Sequence, residues 1–283
     1  MRTARTTQAF KTWRRQQDAG QTSIGFVPTM GALHAGHRSL IKRARRMCKT
    51  VVVSIFVNPL QFRPTKDFRR YPRLEDQDLA LCRKEQVDVV FIPPLDSLYP
   101  PNFQTTITVN SLSTRWEGEH RPKHFEGVTT IVTKLLNLVR PTRTFFGQKD
   151  YQQFLVIQQM VKDLEWDTKL TLCPTIRDSD GLALSSRNQY LSPNQRQHAR
   201  LLYQALSAGK QAIARKQYGS RQICKAMKKI LHRNRYLTTD YLACCDAETL
   251  EPLVQAHGKV VLLGAIRLGA LRLIDNMVIQ VRR

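Results

Sequence analysis

Two histidines three residues apart carry the first chemical signal. They lie in Val27-Pro-Thr-Met-Gly-Ala-Leu-His34-Ala-Gly36-His37, directly after an apolar run and at the start of a stretch with helical periodicity. Gly31 and Gly36 let the backbone approach a ligand closely, and a helix N-terminus presents unpaired N–H groups to an anion. Imidazoles at 34 and 37 add donors for phosphate oxygens as charge builds in a transition state. The same pair is a poor zinc site, because no further His or Cys stands nearby at ligand spacing. A pair of purely structural histidines is the alternative, but a position between strand and helix favours a phosphate cradle.

The elements that must position this motif alternate along the first 173 residues. Short β-branched or aromatic runs at 23–27, 51–57 and 87–92 predict strands buried on both faces. Between the first two, Leu40, Ile41, Ala44, Met47 and Cys48 recur at helical spacing over 36–48, with Lys42, Arg43, Arg45 and Arg46 on the opposite, solvated face. Further helices are predicted at 75–85, 127–139 and 151–164, and strands at 144–146 and 169–176. Ala9, Phe10 and Trp13 fit a short amphipathic helix before the first strand; a basic transit peptide is the competing reading of 1–20. Such alternation implies a Rossmann-like α/β fold, a parallel sheet with helices on both faces, whose ligands bind where loops leave the carboxyl ends of strands. The remainder changes texture: helices at 193–215 and 219–231, then strands at 239–244, 260–263 and 272–279. We therefore expect a domain over 1–175 and a smaller C-terminal α+β domain over 176–283.

Composition bounds the function. The 283 residues hold 45 Lys+Arg against 22 Asp+Glu, a formal net charge of +23. Basic residues outnumber acidic ones by 27 to 15 up to Cys173 and by 18 to 7 beyond it, so no basic tail stands out. A strongly basic chain makes nucleic acid, an anionic membrane surface or a polyanionic small substrate the first suspects. No apolar run approaches the roughly 20 residues that span a bilayer. The six cysteines, Cys48, Cys82, Cys173, Cys224, Cys244 and Cys245, show no CxxC pair, which predicts free thiols and a cytoplasmic location.

The HxGH element resembles the HIGH signature of the adenylyl-transferring Rossmann-like superfamily, which includes class I aminoacyl-tRNA synthetases. Longer stretches narrow the likeness. Gly25-Phe-Val-Pro-Thr-Met-Gly-Ala-Leu-His-Ala-Gly-His37 and Val53-Ser-Ile-Phe-Val-Asn-Pro-Leu-Gln-Phe62 resemble the pantoate–β-alanine ligases (pantothenate synthetases). So do Tyr71-Pro-Arg73, His124-Phe-Glu-Gly-Val128, Phe146-Gly-Gln-Lys-Asp-Tyr-Gln-Gln153 and Asp180-Gly-Leu-Ala-Leu-Ser-Ser-Arg-Asn188. Asp246-Ala-Glu-Thr-Leu-Glu-Pro252 and Arg272-Leu-Ile-Asp-Asn276 extend the match across essentially the whole chain.

The resemblance implies a reaction and a set of residues. Pantoate and ATP would form pantoyl adenylate and pyrophosphate, and β-alanine would then displace AMP to give pantothenate. The ATP site would comprise Met30, Gly31, His34, Gly36, His37, Gly147, Lys149, Asp150, Ile176, Leu184, Ser185, Ser186 and Arg187. Of these, His34, His37, Lys149, Ser185, Ser186 and Arg187 would be catalytic, with Lys149 near the α-phosphate and 185–187 as the second phosphate loop. Gln61 and Gln153 would hold pantoate, with Asn58 orienting Gln61 or touching substrate. Asp78 matches an acidic position associated with Mg²⁺, an ion expected with ATP. The resemblance also implies a homodimer and a second domain that closes as a lid. Nucleic acid is then an unlikely partner despite the charge, leaving another HxGH adenylyltransferase or a small tRNA-dependent ligase as the competing enzyme reading. Four departures from the family pattern stand out: Ala35 in place of a common Glu, Gln148 in place of the usual Glu, Lys123 where a small residue, often Gly, is usual, and Leu74-Glu75-Asp76 in place of Thr-Leu-Glu.

Overall fold

The computed structural model describes residues 1–18, 22–62, 66–232, 234 and 236–281. The elements in chain order are β1 (Arg2–Ala4), α1 (Thr7–Asp18), β2 (Ile24–Thr29), α2 (Ala35–Met47), β3 (Thr50–Ile55), α3 (Lys66–Arg70), α4 (Glu75–Lys84) and β4 (Val89–Phe91). Short helices α5 (Leu95–Leu98), α6 (Asn110–Thr114) and α7 (Glu117–His120) lead to α8 (His124–Val139), β5 (Arg143–Gly147), α9 (Tyr151–Asp163) and β6 (Lys169–Cys173). Then follow α10 (Pro193–Ala199), α11 (Leu201–Ala214), α12 (Ser220–Leu231), β7 (Thr238–Asp246), β8 (Lys259–Leu268) and β9 (Leu271–Gln280). Two compact units result, Met1–Gly147 with Gln152–Pro174, and Gln148–Tyr151 with Thr175–Arg283.

In the first unit six parallel strands lie in the order β1-β4-β3-β2-β5-β6. All six residues of β3 are buried, which is why its sequence runs apolar without alternation. Leu40, Ile41 and Ala44 of α2 pack with Val51 and Val53 of β3, Leu79 and Cys82 of α4, and Phe145 of β5. The chain steps from β2 to β3 on one side, whereas β5 pairs β2 on the other. The strand order therefore reverses at β2, the place where open α/β sheets bind ligands beyond their carboxyl ends. The second unit is an antiparallel sheet, β7-β8-β9, with α11 and α12 against it through Leu202, Leu206, Ile223 and Met227. The fold is thus a Rossmann-like parallel sheet followed by a smaller α+β unit, as the alternation predicts.

Several details depart from the sequence reading. β1 is an addition to it, because Arg2-Thr-Ala4 has no apolar signature; its pairing with β4 places it in the sheet. Phe10 and Trp13 of α1 are buried, which supports the amphipathic-helix reading of this segment. The helix predicted over 193–215 divides at Arg200, although no Gly or Pro marks the break. The strand predicted over 169–176 stops at Cys173, ahead of Pro174. Arg45 is not on a solvated face: it pairs with Asp88 at 2.6 Å and donates to the Cys48 carbonyl at 3.0 Å.

One packing contact governs the loop after β3. Gly127, in the first turns of α8, lies so close to the 59–61 turn that a Cβ would meet the Leu60 carbonyl oxygen at 2.4 Å. The Gly127 carbonyl also accepts from the Asn58 amide at 2.9 Å. Gly127→Ala should therefore cost about 1–3 kcal/mol through overpacking, although alanine is the better helix former. Denaturant unfolding measures this, and a variant as stable as the parent would show that the close approach is easily relieved.

Candidate active site

β2 ends at Thr29, and the chain must turn sharply to start α2. Gly31 makes this turn with φ +80°, and a Cβ there would meet Asp78 Oδ2 at 3.0 Å. Ala32 follows at φ +50°, a strained conformation for a residue with a side chain. The carboxylate of Asp78, projecting from α4 and 2% exposed, holds the turn by accepting from the N–H groups of Ala32 (2.9 Å) and Leu33 (2.7 Å). Burial pushes the Asp78 carboxyl above the usual carboxylate range, against the pull of those two N–H donors. Each oxygen accepts from a backbone N–H, which makes Asp78 a clamp of this loop. Among the described residues no group of three or more His, Cys, Asp or Glu is placed to hold a metal ion.

The turn delivers His34 to the N-cap of α2. Its Nδ1 accepts from the Gly36 N–H at 3.1 Å, while His37 Nδ1 accepts from the His34 N–H at 3.3 Å. This is a capping box built from two imidazoles, whose rings lie 4.1 Å apart between centroids and are tilted by 45°. Because Nδ1 is an acceptor in both rings, the proton of each sits on Nε2. Gly36 is required by the same arrangement, since a Cβ there would meet the His34 ring at 2.8 Å. Ala35, where the family has Glu, leaves the first turn of α2 without an acidic residue, so the positive end of the helix dipole is uncompensated.

The loop after β3 supplies a second group. Gln61 donates through Nε2 to the Met30 sulfur at 2.9 Å and accepts through Oε1 from the Asn58 amide at 3.0 Å. Asn58 is 1% exposed, and every hydrogen-bonding position of its side chain is used: Nδ2 on Gln61 and Gly127, Oδ1 on the Leu60 N–H and the Tyr99 hydroxyl. Asn58 thereby holds the Gln61 amide, one of the two roles considered for it. The Tyr99 hydroxyl, which burial pushes well above its ordinary pKa, stays a donor. His124 Nδ1 and Arg121 meet the Gln61 carbonyl at 2.8 and 3.3 Å, giving the His124-Phe-Glu-Gly-Val128 stretch a function in this loop. Lys123 caps α8 at φ +64°, the left-handed region where the glycine common in the family is unstrained. Gln153 is half-buried in the first turn of α9, beside Gln152, which braces the 112–117 segment. At Gly147, the end of β5, a Cβ would meet nothing within 4 Å, so backbone access there is open.

The remaining predicted residues lie in the second unit. Lys149 and Asp150 form a 3₁₀ turn with an Nζ–Oδ1 separation of 3.4 Å. Ile176 and Leu184 face each other across a backbone ladder, Leu184 N–H to Ile176 carbonyl at 3.0 Å, closed by a turn at Gly181 (φ +87°). That ladder leads into Ser185, whose Oγ accepts from the Arg187 N–H at 3.3 Å and caps the 3₁₀ turn Ser186–Tyr190. Sequence reasoning missed Tyr99 and Gly127 as supports of Gln61. A lone tyrosine in a loop gives no signal, but a glycine early in a strongly apolar helix does, because propensity alone disfavours it.

Comparison with known proteins identifies the family. A family model described as pantoate-β-alanine ligase matches residues 2–278. The pantothenate synthetase of Thermotoga petrophila is 45% identical over 279 residues, covering 99% of this chain and all of that protein. That of Caldicellulosiruptor saccharolyticus is 44% identical over 268 residues, 95% of each chain. The crystal structure of pantothenate synthetase from Thermus thermophilus superposes with a TM-score of 0.93 at 43% identity, covering 98% of this chain and 99% of that one. The Francisella tularensis pantoate-β-alanine ligase, solved in complex with β-γ ATP and β-alanine, gives a TM-score of 0.81 at 34% identity over 98% and 97%. The chain belongs to the pantoate–β-alanine ligase family and makes pantothenate from pantoate, β-alanine and ATP.

Proposed function

We propose that the reaction runs through an enzyme-held pantoyl adenylate. A carboxylate oxygen of pantoate attacks the α-phosphorus of ATP, the α–β anhydride bond breaks, and pyrophosphate leaves. The β-alanine amine then attacks the acyl carbon, the acyl–oxygen bond to AMP breaks, and the amine proton passes to solvent. The observation that carries this reading is the two-histidine cap of α2, whose Nδ1 acceptor bonds leave the ring protons on Nε2 and set both imidazoles at the N-terminus of a helix. Such donors stabilise charge developing on phosphate oxygens without needing to reorganise.

Other residues take roles that follow from their chemistry. Lys149 supplies fixed positive charge for the pentacoordinate α-phosphorus, and Ser185, Ser186 and Arg187 serve the phosphates as a second loop. Met30, Gly31, Gly36, Gly147, Asp150, Ile176 and Leu184 complete the ATP contacts. Gln61 and Gln153 hold pantoate: a neutral amide donates to a carboxylate and accepts from hydroxyls without adding charge. Mg²⁺ enters as part of the ATP substrate. The enzyme works as a homodimer in the cytoplasm. All six cysteines being free supports the location, and none of the described helices is long and apolar enough to cross a membrane.

Omission experiments test the sequence of steps. Pantoate without β-alanine should support exchange of pyrophosphate into ATP, whereas free AMP should accumulate only when both are present. Exchange stimulated by an amino acid and not by pantoate would overturn the reading. Lys149→Ala should slow adenylation about 100-fold or more in a single turnover; a near-normal rate would remove Lys149 from the chemistry. Gln153→Ala should raise the pantoate KM by about 10-fold or more with a smaller effect on ATP. An equal loss for both substrates would point to a folding defect instead.

A further inference from the structure

Two C-terminal stretches that resemble the family, 246–252 and 272–276, have no role in the chemistry above. Both grip the segment that carries Lys149. From β9, the Asn276 amide donates to the carbonyls of Gln148 (2.8 Å) and Lys149 (2.9 Å), and it is 3% exposed. Gln148 returns a contact from Nε2 to Asn276 Oδ1 at 3.5 Å, which the glutamate usual in the family could not donate. At the other end of the segment, the buried Tyr151 hydroxyl donates to the Ala247 carbonyl at 2.8 Å. Ala247 itself sits in a turn braced by Asp246 Oδ1, which accepts from the N–H groups of Glu248 and Thr249.

The neighbouring residue on β9 fixes Asn276. Asp275 accepts from both terminal nitrogens of Arg177 (2.5 and 2.9 Å) and from the Asn276 N–H (2.8 Å). Arg177 also donates to the Gly181 carbonyl and stacks over Tyr203 at 4.4 Å, within the ladder that leads to Ser185. A bidentate guanidinium–carboxylate pair whose carboxylate is buried is rigid. One strand thus holds the backbone of both the Lys149 turn and the 176–184 ladder.

From this geometry we propose that Asn276 is a positioning residue for Lys149: its two donors set the backbone from which the ammonium reaches the reacting phosphate. The inference rests on the role given to Lys149 above. Displacing a charge stabiliser by about 1 Å costs on the order of 100-fold in rate. Asn276→Ala would release both carbonyls and let the turn drift while leaving the substrate contacts of the first unit intact.

A double-mutant cycle on the full-length enzyme tests it, reading single-turnover adenylation and the pantoate KM. Asn276→Ala should slow adenylation about 10- to 100-fold, with the KM changing less than about threefold. In a Lys149→Ala background the same substitution should cost less than about threefold, because the group it positions is gone. Asn276→Ser, which keeps one donor, should fall between and provides a reading if the alanine variant does not fold. Losses from Asn276→Ala or Asn276→Ser that are equal with and without Lys149 would overturn the inference, as would a normal rate in both single variants. If Lys149→Ala alone is normal, the role of Lys149 fails and the inference falls with it; if Lys149→Ala is slow and the losses are additive, only the inference fails.

Discussion

A buried carboxylate decides the geometry at the head of the sheet. When the chain leaves β2 it must reverse within a few residues, and the N–H groups of that reversal point into the protein, away from water. Asp78 accepts two of them, and at Gly31 a φ of +80° together with Asp78 Oδ2 and Ile55 at 3.0 and 3.1 Å from any Cβ favours glycine. The cost of burying a charge is offset because both oxygens are hydrogen-bonded. With the turn held, His34 falls at the N-cap and His37 one turn later, and the cap bonds then place the ring protons on Nε2. Remove the clamp and the histidines lose their frame.

The same economy recurs around Gln61 and Lys149. In each place a fully buried amide, Asn58 or Asn276, uses its donors to hold a neighbouring segment, and is itself held from behind, by Tyr99 in one case and Asp275 in the other. Buried polar groups are tolerable when every position is satisfied, and such networks specify one conformation. Apart from Gly31, the residues assigned to substrate are less buried than these supports. Second-layer amides therefore set the precision of a site whose contact residues are ordinary.

The charge of +23 is the feature least explained by the chemistry. Lys225, Lys228 and Lys229 are exposed along α12, as are Lys42, Arg43 and Arg46 on α2. Other cations are structural: Arg45, Arg177 and Arg272 are engaged with Asp88, Asp275 and Asp240. A broad positive potential raises encounter rates with anionic substrates at low salt, while the helix terminus and a few fixed donors give the phosphates their specificity.

Much of this was legible from local pattern. Hydrophobic periodicity reports which face of each segment is buried, and that depends only on near neighbours, so the α/β class, the order of the main elements and the position of the HxGH loop between strand and helix could be read directly. The long motifs extended the reading to the reaction. What local pattern could not carry were contacts between residues of common type far apart in the chain. Asp78 reaches Ala32 across 46 positions and Asn276 reaches Gln148 across 128. A helical carboxylate reads as a solvated or metal-binding group until its two oxygens are seen against backbone N–H groups, and an amide in an edge strand reads as nothing at all. Packing decided those roles, because a hydrogen bond inside a protein is chosen by which buried groups would otherwise be left unsatisfied, and that is a property of the assembled fold.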